Sequence, residues 1–273
     1  MKIAIIGGGN MGEAFAKGIH RHFSGGDFEL CVAEKNVEKH LAFHSLEIVT
    51  TSRNLDAVDN ADVVILAVKP VDMEATCRDI SVHLPGKCVV ISIAAGVKLA
   101  ALKEWLASDR VARTMPNLLA SIGKSTTVLY SEIKDTELRM LVRKILESIG
   151  SAHEVASENE IDMATAISGC GPAYVWYFME KMIAAGVAIG LDAEVAKALT
   201  LQTFEGASTY ATGTPVGASP GGENFDPTSM RLKVASKGGS TEQAIHVFDE
   251  KNVEGIIDEA IRAAYARAAG QER

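Results

Sequence analysis

The run Gly7-Gly8-Gly9-Asn10-Met11-Gly12 constrains this chain more than any other feature. It fits G-x-G-x-x-G, a weak pattern when met alone. Here it follows directly on the apolar stretch Ile3-Ala4-Ile5-Ile6 and opens an amphipathic helix pattern over Asn10–His22. A strand that turns on glycine into a helix is the setting in which the pattern has physical meaning. Gly7 permits the tight turn, Gly9 lets the main chain approach a pyrophosphate, and Gly12 lets the helix pack close to the strand. The N–H groups of the first helical turn then face the phosphates with the positive end of the helix dipole.

The rest of the first half repeats this alternation. Phe28–Ala33, Val63–Val68, Cys88–Ile93 and Val111–Met115 read as strands, separated by helical segments. Continuous apolar strands alternating with helices imply a mostly parallel, doubly wound sheet covered on both faces. After about residue 157 the strand signal ends. Glu158–Ala211 is rich in Ala, Met, Leu and Glu, with breaks at Gly169-Cys170-Gly171-Pro172 and Gly190-Leu191-Asp192. Pro172 suits the first turn of a helix and Asp192 an N-cap. Residues 212–226 read as a Gly/Pro loop, and helices are expected over 227–235 and 241–268. The chain therefore divides into a Rossmann domain, 1–157, and an all-α domain, 158–273. The apolar surplus of the second domain points to burial in a partner subunit, the alternative being packing on the first domain.

The net charge of −8 over 273 residues opposes non-specific binding to nucleic acid or an anionic membrane. No stretch approaches the roughly 18 apolar residues that span a bilayer, so a cytoplasmic protein is expected. The four cysteines, Cys31, Cys77, Cys88 and Cys170, have no C-x-x-C spacing, and neither a metal site nor a redox pair is expected.

The end of the second strand chooses between the two nicotinamide dinucleotides. An acidic residue there bonds the ribose 2′-hydroxyl of NAD, and a basic one holds the 2′-phosphate of NADP. This chain has Glu34 followed by Lys35, so charge alone leaves the choice open.

Four further segments carry a family resemblance: Ala67-Val68-Lys69-Pro70, Ser92-Ile93-Ala94-Ala95-Gly96, Ser168-Gly169-Cys170-Gly171-Pro172-Ala173-Tyr174 and Ser236-Lys237-Gly238-Gly239-Ser240-Thr241. With the amino-terminal glycines and Met115-Pro116-Asn117, in this order, the chain resembles the pyrroline-5-carboxylate reductases over nearly its whole length. The resemblance implies reduction of Δ1-pyrroline-5-carboxylate to L-proline with NADPH, or alternatively NADH. It also implies a helical dimerisation domain, with dimers that assemble further into decamers. Gly7, Gly9, Asn10, Met11 and Gly12 would hold the pyrophosphate, Lys35 the 2′-phosphate and Asn54 the adenosine ribose. Ala67, Lys69, Pro70, Ala94 and Ala95 would line the nicotinamide end. Ser236, Gly239, Ser240 and Thr241 would hold the substrate carboxylate, with Thr241 as the catalytic residue at the ring nitrogen. Two glycines and hydroxyl residues entering a helix form an anion nest on physical grounds as well.

The chain departs from the family pattern at three places. Leu118-Leu119 stands where relatives have Thr-Pro, Lys237 stands where they have Pro, and the 212–226 loop is longer, with Glu223 as a loose match to a family acid. These departures motivate two alternatives: a reductase of a related cyclic imino acid, and a dinucleotide sensor without catalysis.

Overall fold

The computed structural model describes residues 1–26, 28–213 and 225–270. The chain runs β1 (Lys2–Ile6), α1 (Asn10–His22), β2 (Glu29–Ala33), α2 (Leu41–His44), β3 (Val49–Thr51), α3 (Asn54–Val58), β4 (Val63–Leu66), α4 (Met73–Ser81), β5 (Val89–Ser92), α5 (Leu99–Leu106), β6 (Val111–Met115), β7 (Ser125–Ser131), α6 (Thr136–Glu147) and β8 (Gly150–Glu154). The rest is helical: α7 (Glu158–Ala164), a π turn (Thr165–Gly169), α8 (Gly171–Ala188), α9 (Ala193–Thr212), α10 (Pro227–Val234), α11 (Ser240–Glu250) and α12 (Val253–Ala268). Two compact units result, Met1–Pro172 with Arg262–Arg273, and Ala173–Ile261.

The first unit is built on one sheet of order β3-β2-β1-β4-β5-β6-β7-β8. Strands β1 to β6 are parallel. β7 returns antiparallel to β6, and β8 lies parallel to β7. The central strands are buried on both faces, and their alternate residues feed two cores. Ile3 and Ile5 point to the side covered by Phe15 and Ile19 of α1 and Ile145 of α6. Ala4 and Ile6 point to the side covered by Cys77 and Ile80 of α4 and Leu102 of α5. A parallel, doubly wound sheet followed by helices is the fold expected from the sequence.

Several elements differ from the sequence reading. Strands β3, β7 and β8 carry no strong apolar signal: β3 is three residues long, β7 is Ser-Thr-Thr-Val-Leu-Tyr-Ser, and β8 is the edge strand Gly-Ser-Ala-His-Glu. The single helix expected over 241–268 is two helices. Asn252 turns left-handed at φ 53° between them, a conformation that asparagine tolerates better than most residues. The break at Asp192 is as read: its carboxylate accepts from the N–H groups of Glu194 and Val195.

In the second unit the described residues bury little on their own. Gly186 allows the Ala196 side chain of α9 close to α8, where a Cβ would stand 3.2 Å away. Ala196 and Thr200 are the only fully buried residues described in this unit. Trp176, Tyr177, Phe178, Met182, Leu199 and Phe248 are all substantially exposed.

Candidate active site

The glycine run stands between the carboxyl ends of β1 and β4. Gly7 takes φ +104°, and a Cβ there would meet the Ala67 carbonyl oxygen at 2.7 Å. A Cβ at Gly12 would stand 1.9 Å from the Gly7 carbonyl oxygen, so α1 reaches its place only with glycine there. Gly9 is different: nothing lies within 4 Å of a Cβ built on it. It faces open space at the start of a 13-residue helix, a cradle that fits a pyrophosphate against first-turn N–H groups.

A cleft of about 410 Å³ opens there, lined by Gly7, Gly9, Glu34, Lys35, Asn54, Ala67 and Lys69 among the residues read from the sequence. Asn10, Met11, Gly12, Pro70, Ala94 and Ala95 do not line it. Gly12 is packed against Gly7, and Ala94 is buried beside the end of β5. A second cleft of about 430 Å³ shares Lys35 and Asn54 with the first and adds Arg53.

Glu34 and Lys35 both line the first cleft. The Glu34 carboxylate accepts from the Gly8 N–H (2.8 Å) and from the Asn36 N–H (2.9 Å), so the main chain on either side holds it. Lys35 lines both clefts, with Lys39 on the first and Arg53 on the second. Lys39 and Arg53 escaped the sequence reading. Arg53 follows the three-residue β3, and an unseen strand left its carboxyl end unmarked.

The Ser236–Thr241 loop leads into α11. Gly238 takes φ +75°, and the Gly239 N–H donates to the Ser236 carbonyl (2.9 Å). Gly239 is the N-cap, so Ser240 and Thr241 occupy the first turn, where main-chain N–H groups lack helical acceptors. Neither hydroxyl caps the helix. The Glu242 carboxylate instead accepts from the Gly238 N–H (2.7 Å). Glu223 and most of the 212–226 loop lie outside the described residues.

At the end of β6, Asn117 is buried. Its Nδ2 donates to the Ser168 carbonyl (2.9 Å), and its Oδ1 accepts from the Leu119 N–H (3.0 Å). The Met115-Pro116-Asn117 segment thus meets the π turn that carries Ser168 and Gly169. Burial pushes the thiols of Cys77 and Cys88 up to about 12. All four cysteines are free, and Cys170 is partly exposed.

Comparison with known proteins decides the family. The pyrroline-5-carboxylate reductase of Pseudomonas aeruginosa is 34% identical over 271 residues, covering 98% of this chain and 96% of that protein. The chain belongs to the pyrroline-5-carboxylate reductase family. The family's dimerisation model, "Pyrroline-5-carboxylate reductase dimerisation", matches residues 158–271, and a model described as "NADP oxidoreductase coenzyme F420-dependent" matches residues 2–96. The solved pyrroline-5-carboxylate reductase from Coxiella burnetii superposes with a TM-score of 0.89 at 33% identity, covering 99% of this chain and 98% of that one. The pyrroline carboxylate reductase of Plasmodium falciparum, solved with NADP bound, superposes with a TM-score of 0.81 at 27% identity, covering 99% and 97%.

Proposed function

We propose that this chain reduces Δ1-pyrroline-5-carboxylate to L-proline, the last step of proline biosynthesis, with NADPH as the preferred cofactor. The full-length likeness to pyrroline-5-carboxylate reductases carries this reading, because it includes the helical half that bears the substrate loop. The glycine cradle, with its open Gly9 and the clash-limited Gly7 and Gly12, fits a dinucleotide. In this reading Gly7, Gly9, Asn10, Met11 and Gly12 hold the pyrophosphate. Asn54 holds the ribose, and Ala67, Lys69, Pro70, Ala94 and Ala95 surround the nicotinamide. The preference for NADPH rests on Glu34, held by two N–H groups, and on the cationic rim of Lys35, Lys39 and Arg53.

Bound NADPH supplies a hydride to the imine carbon while the ring nitrogen gains a proton, leaving NADP⁺ and proline. The protein's own part is to hold, align and dry the substrate. The Ser236 hydroxyl and the N–H groups of Ser240 and Thr241 grip the carboxylate at the positive end of the α11 dipole. Gly239 keeps this loop tight, since a Cβ would lie 2.7 Å from Ser236 Oγ. The Thr241 hydroxyl bonds the ring nitrogen and relays a proton to it. Lys237 adds a positive charge beside the carboxylate.

Homodimers are part of this reading, formed through the apolar faces of α8, α9 and α11, with dimers assembling into decamers as the family resemblance implies. A cytoplasmic setting accompanies it, without nucleic-acid or membrane partners. No described helix is long and apolar enough to cross a membrane. The test is NADPH and NADH oxidation with pyrroline-5-carboxylate at matched concentrations. Rapid oxidation with a higher kcat/KM for NADPH is expected, and no oxidation with either cofactor would overturn the reading. The half-exposed Leu118 side chain at the end of β6 favours a second reading, a related cyclic imino acid. Relative rates on five- and six-membered cyclic imines decide between the two.

A further inference from the structure

Four charged side chains meet beside the carboxyl ends of β5 and β6. Arg113, in the middle of β6 and 1% exposed, donates from Nη1 to Glu158 Oε1 (2.8 Å) and from Nη2 to Asp162 Oδ1 (2.7 Å). Lys98 Nζ lies 2.6 Å from the other oxygen of Asp162. Glu158 Oε1 also accepts from the Leu99 N–H (2.7 Å), at the start of α5. Arg113 Nε is buried without a partner among the described residues. Well-packed apolar side chains often replace such ions with no loss of stability. What charged groups add is a fixed geometry between the elements that carry them.

Those elements include the loop that leaves β5. It runs from Ile93 to Lys98 and contains Ala94 and Ala95. Its middle residue, Gly96, takes φ +74° and meets nothing within 4 Å of a built Cβ. The loop is held at its ends. Ile93 N–H donates to the Leu66 carbonyl (3.3 Å), and Lys98 and Leu99 are tied to α7. Asp162 sits three residues before the π turn, whose Ser168 carbonyl is bound by Asn117. Loop and π turn therefore share one buried anchor.

We propose that Lys98 is a positioning residue, whose ion pair with Asp162 fixes the loop of residues 93–98 for hydride transfer. The inference rests on the reductase reading above, in which Ala94 and Ala95 line the nicotinamide. Lys98 is half exposed, and its removal leaves Asp162 paired with Arg113, so Lys98→Met creates no unpaired buried charge.

The experiment uses the full-length protein and two readouts. The first is amide hydrogen exchange over residues 93–99 without cofactor. The second is the single-turnover rate of NADPH oxidation on pyrroline-5-carboxylate. Lys98→Met should speed exchange and slow the single turnover about tenfold each, with the Kd for NADPH changed less than about twofold, and Lys98→Arg should restore both. Unchanged exchange, or faster exchange with an unchanged rate, would overturn the proposal. Should Lys98→Met melt far below wild type, Lys98→Gln removes the same charge with a polar side chain and leaves Arg113 paired with Asp162. Normal exchange and rate in that variant would equally overturn it. A wild-type protein inactive on the pyrroline would overturn the functional reading instead, while the exchange arm still reports on the anchor.

Discussion

Glu34 and Lys35 are neighbours in the sequence, line the same cleft and differ in their partners. The carboxylate is engaged by main-chain N–H groups, while the ammonium joins Lys39 and Arg53 around the adjoining clefts. A 2′-phosphate gains from each cation through charge-assisted hydrogen bonds. Replacing Arg53, which is exposed and paired only at 3.5 Å with Asp56, should lower kcat/KM for NADPH about tenfold. The same change should leave NADH nearly unaffected, and steady-state kinetics with both cofactors checks it. In the proposed reaction Thr241 relays a proton to the ring nitrogen. Thr241→Ala should cut kcat by about a hundredfold with the Kd for NADPH unchanged, a split read by turnover and by cofactor fluorescence titration. Residues of these kinds were legible to different degrees. Gly7 and Gly12 declare themselves because no other residue fits their geometry, and Gly9 by its place between them in the motif. Arg53 carries no such mark, since nothing in the sequence places it on the cleft until β3 is seen.

Among elements, the strands that were legible are those buried on both faces: β1, β2, β4 and β5 through their apolar runs, and β6, Val-Ala-Arg-Thr-Met, more weakly because a buried arginine interrupts it. β8 at the sheet edge and the short β3 have too little apolar content to stand out from loops. β7 hides behind hydroxyl residues, two of which, Ser125 and Thr127, are buried within 3.1 Å of each other. The break at Asn252 was invisible for another reason: the helical period continues through it, and only a left-handed residue interrupts the chain. Polar contacts also tie strands together. Asp62 accepts from the Lys2 N–H and pairs with Lys87 at 2.7 Å, joining the starts of β1, β4 and β5. Its partner Lys87, and the Lys2 N–H, hold its carboxyl below the usual range. A depressed folded-state pKa gives stability that is present above the unfolded value, about 3.9, and lost as pH falls through the folded one. Asp62→Asn should therefore lower Tm at neutral pH. Its difference from wild type should vanish in strong acid, as a pair of pH-dependent melting series would register.

At the scale of the whole molecule, the two halves have very different interiors. The sheet unit has two dense apolar cores, one on each face. The helical unit has two fully buried described residues and a run of exposed aromatic and aliphatic side chains along α8. Burial of an aromatic side chain contributes about 2 kcal/mol, so the proposed dimer interface would supply what the described residues of this unit lack. Phe178→Asp should yield monomers by light scattering, with the sheet unit still folded by circular dichroism. The sequence displayed the apolar surplus of this half, yet it held no statement of which faces meet, because a low-amphipathicity helix such as α8 has apolar residues on every side.

A helical unit whose described residues bury almost nothing makes folding, in the proposed homodimer, a matter of encounter. In that homodimer, formation of the helical half depends on how often two chains meet, and its survival on mass action. Dilution would act on the homodimer as a denaturant does: its melting temperature should rise with protomer concentration, and a freshly made chain would wait, half finished, for its twin.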